Sequence, residues 1–158
     1  MINTDPEPIK VATSADVQAI ASLLTQLSSS APPFSRADLE AMLADPATTI
    51  FAIRVGGRIV GMTSLVVFRV ATGVRAFIDD VVVMETCRGH RLGEALVRAA
   101  IDHAASLGVR KFDLTSRPSR KAANLLYQRL GFERRQTHVY RLTLPAGADA
   151  PTHTDTGE

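Results

Sequence analysis

Apolar residues recur along this 158-residue chain with two periods, and the chain turns where the period changes. Val17, Ile20, Ala21, Leu24 and Leu27 fall three and four residues apart, so a helix is expected from a Ser14 cap to about Leu27. Ser28 to Phe34 (SSSAPPF) interrupts the pattern with Pro32 and Pro33 and reads as a loop. Ser35, followed three residues later by Asp38, reads as the capping box of a shorter helix to about Ala44. Thr48–Val55 and Arg58–Phe68 flank Gly56-Gly57 as a hairpin, and Val74–Met84 is a third long strand. Leu92, Leu96, Val97, Ala99, Ala100, Ile101 and Ala104 form the apolar stripe of a helix running to Leu107, where Gly108 ends it. Arg91, Glu94, Arg98 and Asp102 line its other side. Lys111–Thr115 is a short strand, and Ser119 after Pro118 is placed to cap a last helix that Gly131 stops. A short strand at Ile9–Ala12 comes before all of these, and Arg134–Leu144 closes the order as a strand or strand pair. The order β-α-α-β-β-β-α-β-α-β describes one α/β domain over residues 1–144. The tail, 145–158, has no core-facing pattern and is expected to be disordered.

Composition narrows this picture without redirecting it. The chain is long enough for one domain with a real core, and 46% hydrophobic residues argue for an ordered globule. The single Cys87 excludes an internal disulfide and is compatible with a reducing compartment. MINTDPEPIK has no basic-then-apolar signal pattern and no apolar run has the length of a membrane span, so a cytoplasmic protein without membrane association is expected. The net charge of +2 includes Asp149, Asp155 and Glu158 of the tail, and residues 1–144 carry +5. Arg88, Arg91, Arg110, Lys111, Arg117, Arg120 and Lys121 concentrate that charge in the second half. Aromatics are only 5% and Trp is absent, so stacking platforms are scarce and no nucleic-acid partner is expected. A ligand with several phosphate charges fits better.

The chemistry centres on Val81–Gly93 (VVVMETCRGHRLG), an apolar strand end, a basic turn and a helix start. A helix's first amides are unpaired and its dipole favours an anion there, so such a turn binds phosphate. Gly89 and Gly93 let the backbone approach a ligand, and Arg88 and Arg91 add positive charge. No Gly-Lys-Ser/Thr is present, nor a GxGxxG after the first strand, which argues against the P-loop and dinucleotide folds.

Arg88–Gly93 instead resembles the Arg/Gln-x-x-Gly-x-Gly/Ala signature of the GNAT superfamily of N-acetyltransferases, which holds the pyrophosphate of acetyl-CoA. Arg91 departs from it by standing where the first motif glycine usually sits. Ala123, Tyr127, Gly131 and Phe132 are similar to the family's second hallmark, Ala-x-x-x-Tyr-x-x-x-Gly-Phe. The resemblance covers nearly all of the chain before the tail. It implies a mixed, mostly antiparallel sheet flanked by about four helices, with acetyl-CoA as cosubstrate. It also implies direct acetyl transfer in a ternary complex to a primary amine of a small molecule or a protein.

Such a transfer needs a proton acceptor for the amine and an acid for the departing thiolate. The resemblance gives the acid role to Tyr127, with a tyrosine packed in the core as the plainer reading. Asp79 and Asp80, carboxylates in an apolar strand, are the candidate bases. Neighbours on a strand face opposite ways, so one of them should reach the cleft unless a bulge intervenes. Asp79 is slightly favoured, as a base through water or an anchor for a cationic substrate, while hydrogen bonding of both to nearby loops is an equal alternative. By resemblance, the backbone of Val81, Val82 and Val83 pairs with the pantetheine arm like an added strand. The turn then supplies Arg88, Gly89, His90, Arg91, Leu92, Gly93 and Glu94 to the cofactor. Arg120 stands where many relatives carry Asn, so Asn124, one helical turn on, is an alternative contact, and Ser116 and Arg117 face the same crevice.

No His, Cys or carboxylate group has metal-ligand spacing, so no metal is expected. Cys87 beside the turn is either a reactive thiol or a small buried residue. The acceptor is open, because acceptor pockets in this family are built from segments without a transferable motif. The short length and Ile78–Val83 (IDDVVV) are also similar to the glucosamine-phosphate N-acetyltransferases. A non-catalytic acyl-CoA sensor or interaction module of the same shape is the alternative to an enzyme. A homodimer is compatible with either.

Overall fold

The structure, a computed structural model, describes residues 4–147. Five strands form one sheet in sequence order: β1 Glu7–Pro8, β2 Thr48–Val55, β3 Arg58–Val70, β4 Gly73–Val83 and β5 Lys111–Asp113. The first four pair antiparallel and β5 joins β4 in parallel. Gly56 and Gly57, at φ +58° and +79°, form the tight turn between β2 and β3, a conformation that glycine alone adopts without strain.

Four helices cover the two faces. α1 (Ser14–Leu27) and α2 (Arg36–Ala44) lie on one face, where Ile20, Leu23 and Leu39 close over Ile50, Ile59 and Met62. α3 (Leu92–Ser106) and α4 (Lys121–Arg129) lie on the other, where Leu96, Val97, Ala100 and Tyr127 pack on Ile53, Leu65 and Ile78. Because side chains alternate across the sheet, β4 serves both cores: Val81 faces the α3 side and Val82 the α1 side. The capping box of α2 is present, with the Ser35 hydroxyl accepting from the Asp38 amide and the Asp38 carboxylate accepting from the Ser35 amide.

Four elements differ from the sequence reading. The first strand is Glu7–Pro8, not Ile9–Ala12. Ile9 is the last residue to bury a side chain there, donating its amide to Ile50, while Lys10 and Val11 are exposed and meet no partner. Thr13 rather than Ser14 caps α1, accepting from the Asp16 amide at 3.1 Å. Ser119 does not cap α4. Residues 117–120 form a turn closed by Arg120 N–H to the Arg117 carbonyl, and Arg120 takes the cap position without a side-chain bond. Lastly, Arg134–Leu144 joins no ladder among the described residues, and Val139, Tyr140, Leu142 and Leu144 are exposed. Of the expected tail, 145–147 are exposed and 148–158 lie outside the described residues.

Candidate active site

The site is built where two strands part. β4 and β5 pair only from Arg75–Lys111 to Phe77–Asp113, and beyond Phe77 they separate. Met84 donates to the Val60 carbonyl on the β3 side, so by alternation the amides and carbonyls of Val81 and Val83 face the gap. Arg120 Nη2 donates to the Val81 carbonyl at 3.1 Å, and Arg88 Nε lies 3.4 Å from the Val83 carbonyl. Val82 points its backbone to β3. With the Val81 and Val83 carbonyls met by arginine side chains, the amides of these two residues are the main-chain groups this edge leaves for an extended partner.

The basic turn follows directly. After a short 3₁₀ turn at Glu85–Cys87, held by the Glu85 amide donating to Gln26 Oε1, the chain enters α3 through Arg91. The amides of residues 89–94 donate to no group among the described residues, and the first α3 bond is from Ala95 to Arg91. Gly89 has φ +85° and Arg91 φ +58°, so the backbone alternates in the manner that gathers N–H groups into an anion-binding concavity. This accounts for the odd residue in the motif. The Arg91 position demands the left-handed backbone that glycine fills most easily, and here an arginine bears the strain. Gly93 is different: a Cβ there would stand 3.5 Å from Leu126 Cδ2, an ordinary contact, which agrees with the Gly/Ala freedom of that position. His90 turns back on the loop, with Nδ1 donating to the Arg88 carbonyl at 3.0 Å. Glu94 is paired with Arg98 at 2.9 Å and Arg129 at 3.6 Å, and chiefly the Arg98 bond holds its carboxyl below the usual range. Its charge is therefore offset, and its amide is what the turn presents.

Tyr127 reaches the same gap from α4. Its ring is buried (5% exposed) and meets Phe132 edge-on, and its hydroxyl makes no hydrogen bond among the described residues. Burial raises its pKa, the Arg120 charge opposes this, and Asp79 adds to it. Arg120, Asp79 and Tyr127 are thus electrostatic neighbours.

A bulge resolves the parity of the two aspartates. Asp80 and Val81 together oppose Thr63, and Asp80 has φ +53°. Asp79 is exposed, accepts from the Asp80 amide at 2.8 Å, and its own carbonyl accepts from the Thr63 hydroxyl. Asp80 is half-buried and accepts from the Ser64 hydroxyl at 2.9 Å, on the face that Met62 gives to the α1 core. Burial, more than any other cause, raises the Asp80 pKa; the Ser64 bond works against it and Asp79 with it. Ser64 was not among the expected site residues, since its link to Asp80 spans sixteen positions and depends on the bulge.

The remaining residues are placed as follows. The Ser116 hydroxyl is buried and without a hydrogen-bond partner. Arg117 donates to the Leu27 carbonyl at 2.8 Å, tying the loop before α4 to the end of α1. Asn124 Nδ2 donates to the Arg117 carbonyl and so holds that loop. Cys87 is a half-buried free thiol packed against the α3-side core. Among the described residues no His, Cys, Asp or Glu cluster could hold a metal, and no helix is long and apolar enough to cross a membrane.

Known proteins supply an independent view. Residues 17–132 match the sequence profile described as the acetyltransferase (GNAT) family. In three dimensions the chain is similar to a Trypanosoma brucei acetyltransferase, at 30% identity and TM-score 0.71, covering 89% of this chain and 100% of that one. It is likewise similar to an Agrobacterium tumefaciens protein described as an acetyltransferase, at 28% identity and TM-score 0.75, covering 84% and 98%. The glucosamine-6-phosphate N-acetyltransferase of Arabidopsis thaliana shares the fold at 22% identity and TM-score 0.73, covering 87% and 97%. No curated relative matches the chain in sequence.

Proposed function

Because the chain belongs to the acetyltransferase (GNAT) family, we propose that it transfers the acetyl group of acetyl-CoA directly to a primary amine of a small molecule or a protein, with both substrates bound together. One observation carries this reading. The β4 edge beyond its pairing with β5 runs into the unpaired amides of 89–94, and Arg120, bonded to the Val81 carbonyl, is an electrostatic neighbour of Tyr127. The amides and Arg88 suit a pyrophosphate, and the Val81 and Val83 backbone suits an amide-bearing arm laid as an added strand. Gly89 and the backbone of Arg91 shape the cradle.

The protons are assigned by environment. Asp80, half-buried and with its pKa raised chiefly by burial, removes the amine proton, directly or through one water. The amine nitrogen then bonds to the thioester carbonyl carbon, and the carbon–sulfur bond breaks. Tyr127, kept neutral by burial, gives its proton to the thiolate and regains one from solvent, while Arg120 steadies the transient phenolate. Asp79, exposed at the mouth, holds a cationic acceptor.

The test is thiol release from acetyl-CoA across a panel of amines, including amino sugars, aminoglycosides, amino acids and peptides. At least one amine should support turnover. Tyr127→Phe should lower kcat about 10–100-fold with little change in KM for acetyl-CoA, at the low end of general-acid effects because thiolates leave readily. Tight acetyl-CoA binding with no release for any amine would favour a sensor, and undiminished turnover in Tyr127→Phe would remove the acid.

A further inference from the structure

Building on the acyl-transfer reading above, we propose that Arg120 receives a carboxylate carried by a substrate close to the thioester. It thereby selects acidic acyl groups, or acidic amine acceptors, over neutral ones. Arg120 is a half-buried cation that lacks an anion. Three arginines among the described residues are half-buried, Arg54, Arg75 and Arg120. Arg54 meets the Asp16 carboxylate, and Arg75 shares the groove on the outer flank of β5 with Asp113 and Glu133. Arg120 has no such company: the ion pairs among the described residues involve Arg36, Arg54, Arg88, Arg98 and Arg129. Its guanidinium donates to the Val81 carbonyl at 3.1 Å, and its other N–H groups meet no partner among the described residues. A cation drawn out of water without an anion is costly, so the position calls for one that this part of the chain does not supply.

The start of α4 adds to the positive field. The helix opens with Lys121, has no acidic residue in its first turn and no side-chain cap. The amides of Ala122 and Ala123 donate to no group among the described residues. These groups and the helix dipole favour negative charge beside Arg120. Asp79, which acts on the same tyrosine, does not provide it: its carboxylate accepts from the Asp80 amide and forms no ion pair among the described residues.

Position along β4 identifies the part of a substrate that carries the anion. Arg88 lies against the Val83 carbonyl, beside the basic turn, whereas Arg120 lies against the Val81 carbonyl, one strand repeat farther from it. That repeat is roughly 7 Å. A donor laid along this edge with its pyrophosphate on the turn passes Val83 first and brings its thioester toward Val81. Tyr127 stands two helical turns after Arg120 on α4, within reach of the Arg120 charge. The phosphates are thus met by one set of groups and the reacting end by another. An acetyl group has no charge to offer Arg120. A malonyl or succinyl group carries a carboxylate two or three bonds past the thioester carbon, and an amino-acid acceptor carries one beside its amine. The planar guanidinium fits a carboxylate with two parallel hydrogen bonds. The transfer is otherwise the same: the nitrogen–carbon bond forms, the carbon–sulfur bond breaks, and the acid remains a carboxylate throughout.

Two sets of calorimetric titrations on the full chain distinguish the sources of the carboxylate. Succinyl-CoA against butyryl-CoA, equal in acyl length and different in charge, reads the donor, with acetyl-CoA as reference. Amino acids against the matching amino-acid amides, titrated into the CoA-bound chain, read the acceptor. In at least one set the acid should bind about 10–100-fold more tightly. Arg120→Gln keeps an N–H donor for the Val81 carbonyl but removes the charge, and should bring that preference close to one. Arg120→Lys keeps the charge and should retain part of it. No preference in either set, with acetyl-CoA still bound, would overturn this assignment alone, as would a preference that survives Arg120→Gln. A chain that binds no acyl-CoA would overturn the acyl-transfer reading as well.

Discussion

Two side chains stand where the backbone calls for glycine: Arg91 in the phosphate turn and Asp80 in the β4 bulge. Each left-handed residue costs roughly 1–2 kcal/mol. Arg91→Gly should relieve that strain, partly offset by the greater freedom glycine has when unfolded. The net gain should reach at most about 1 kcal/mol, or about 2–4 °C in Tm by calorimetry. A fall in Tm would mean that the arginine side chain supports the turn by contacts of its own. At Asp80 the consequence under the proposed mechanism is catalytic: with Asp80 as the base, kcat/KM should fall as pH drops through its pKa, which burial sets above the ordinary aspartate value. Ser64→Ala removes the bond that lowers this pKa, so the acid limb of the pH–rate profile should move to higher pH. An unmoved limb would assign it to another group.

At the scale of elements, one ion pair locks the start of α1 to β2. The carboxylate of Asp16 is buried and receives both Arg54 nitrogens, at 2.6 and 2.9 Å, beside the register shift at Ile53/Arg54. The Arg54 bond, more than any other cause, holds the Asp16 pKa below its ordinary 3.8, against the opposing effect of burial. With the folded pKa depressed, the pair stabilises the fold above the ordinary value and loses that contribution as pH falls through the folded pKa. Asp16→Asn should cost about 2 kcal/mol at neutral pH in urea unfolding. That is less than for a fully enclosed pair, because the Arg54 side chain is still 36% exposed. The variant should also lose part of the wild type's decline in stability below pH 4, and an unchanged decline would place acid sensitivity elsewhere. The α2 capping box was legible in the sequence because it depends on residues three apart. The cap of α4 was not, because the Arg117–Arg120 turn is held from outside by Asn124 and by Leu27, ninety positions away.

For the whole molecule, the sheet has two irregular borders among the described residues: β4 parts from β5 beyond Phe77, and the outer edge of β5 is unpaired. Each exposes main-chain groups that a regular sheet would pair. Beside the parting, the adjoining turn's amides and arginines favour an anionic ligand, whereas the flank groove mixes Ile101, Phe112, Leu130 and Phe132 with the charged Arg110, Lys111 and Arg135.

Alternation of apolar residues, turn glycines and the spacing of Arg88, Gly89, Gly93, Tyr127, Gly131 and Phe132 lie within short stretches of chain. From these the sequence alone determined the order of elements as far as the last helix, and the family. Strand parity could not show that Asp79 and Asp80 share a bulge, since the bulge exists only in the register of β4 against β3. Nor could local pattern show that Ser64 bonds Asp80, that Arg120 reaches the Val81 carbonyl, or that Arg91 takes a left-handed backbone. The alternating pattern of 134–144 was real, but a strand needs a partner as well as a pattern. Side-chain period is written in the sequence, whereas pairing and burial depend on which distant residues the fold brings alongside.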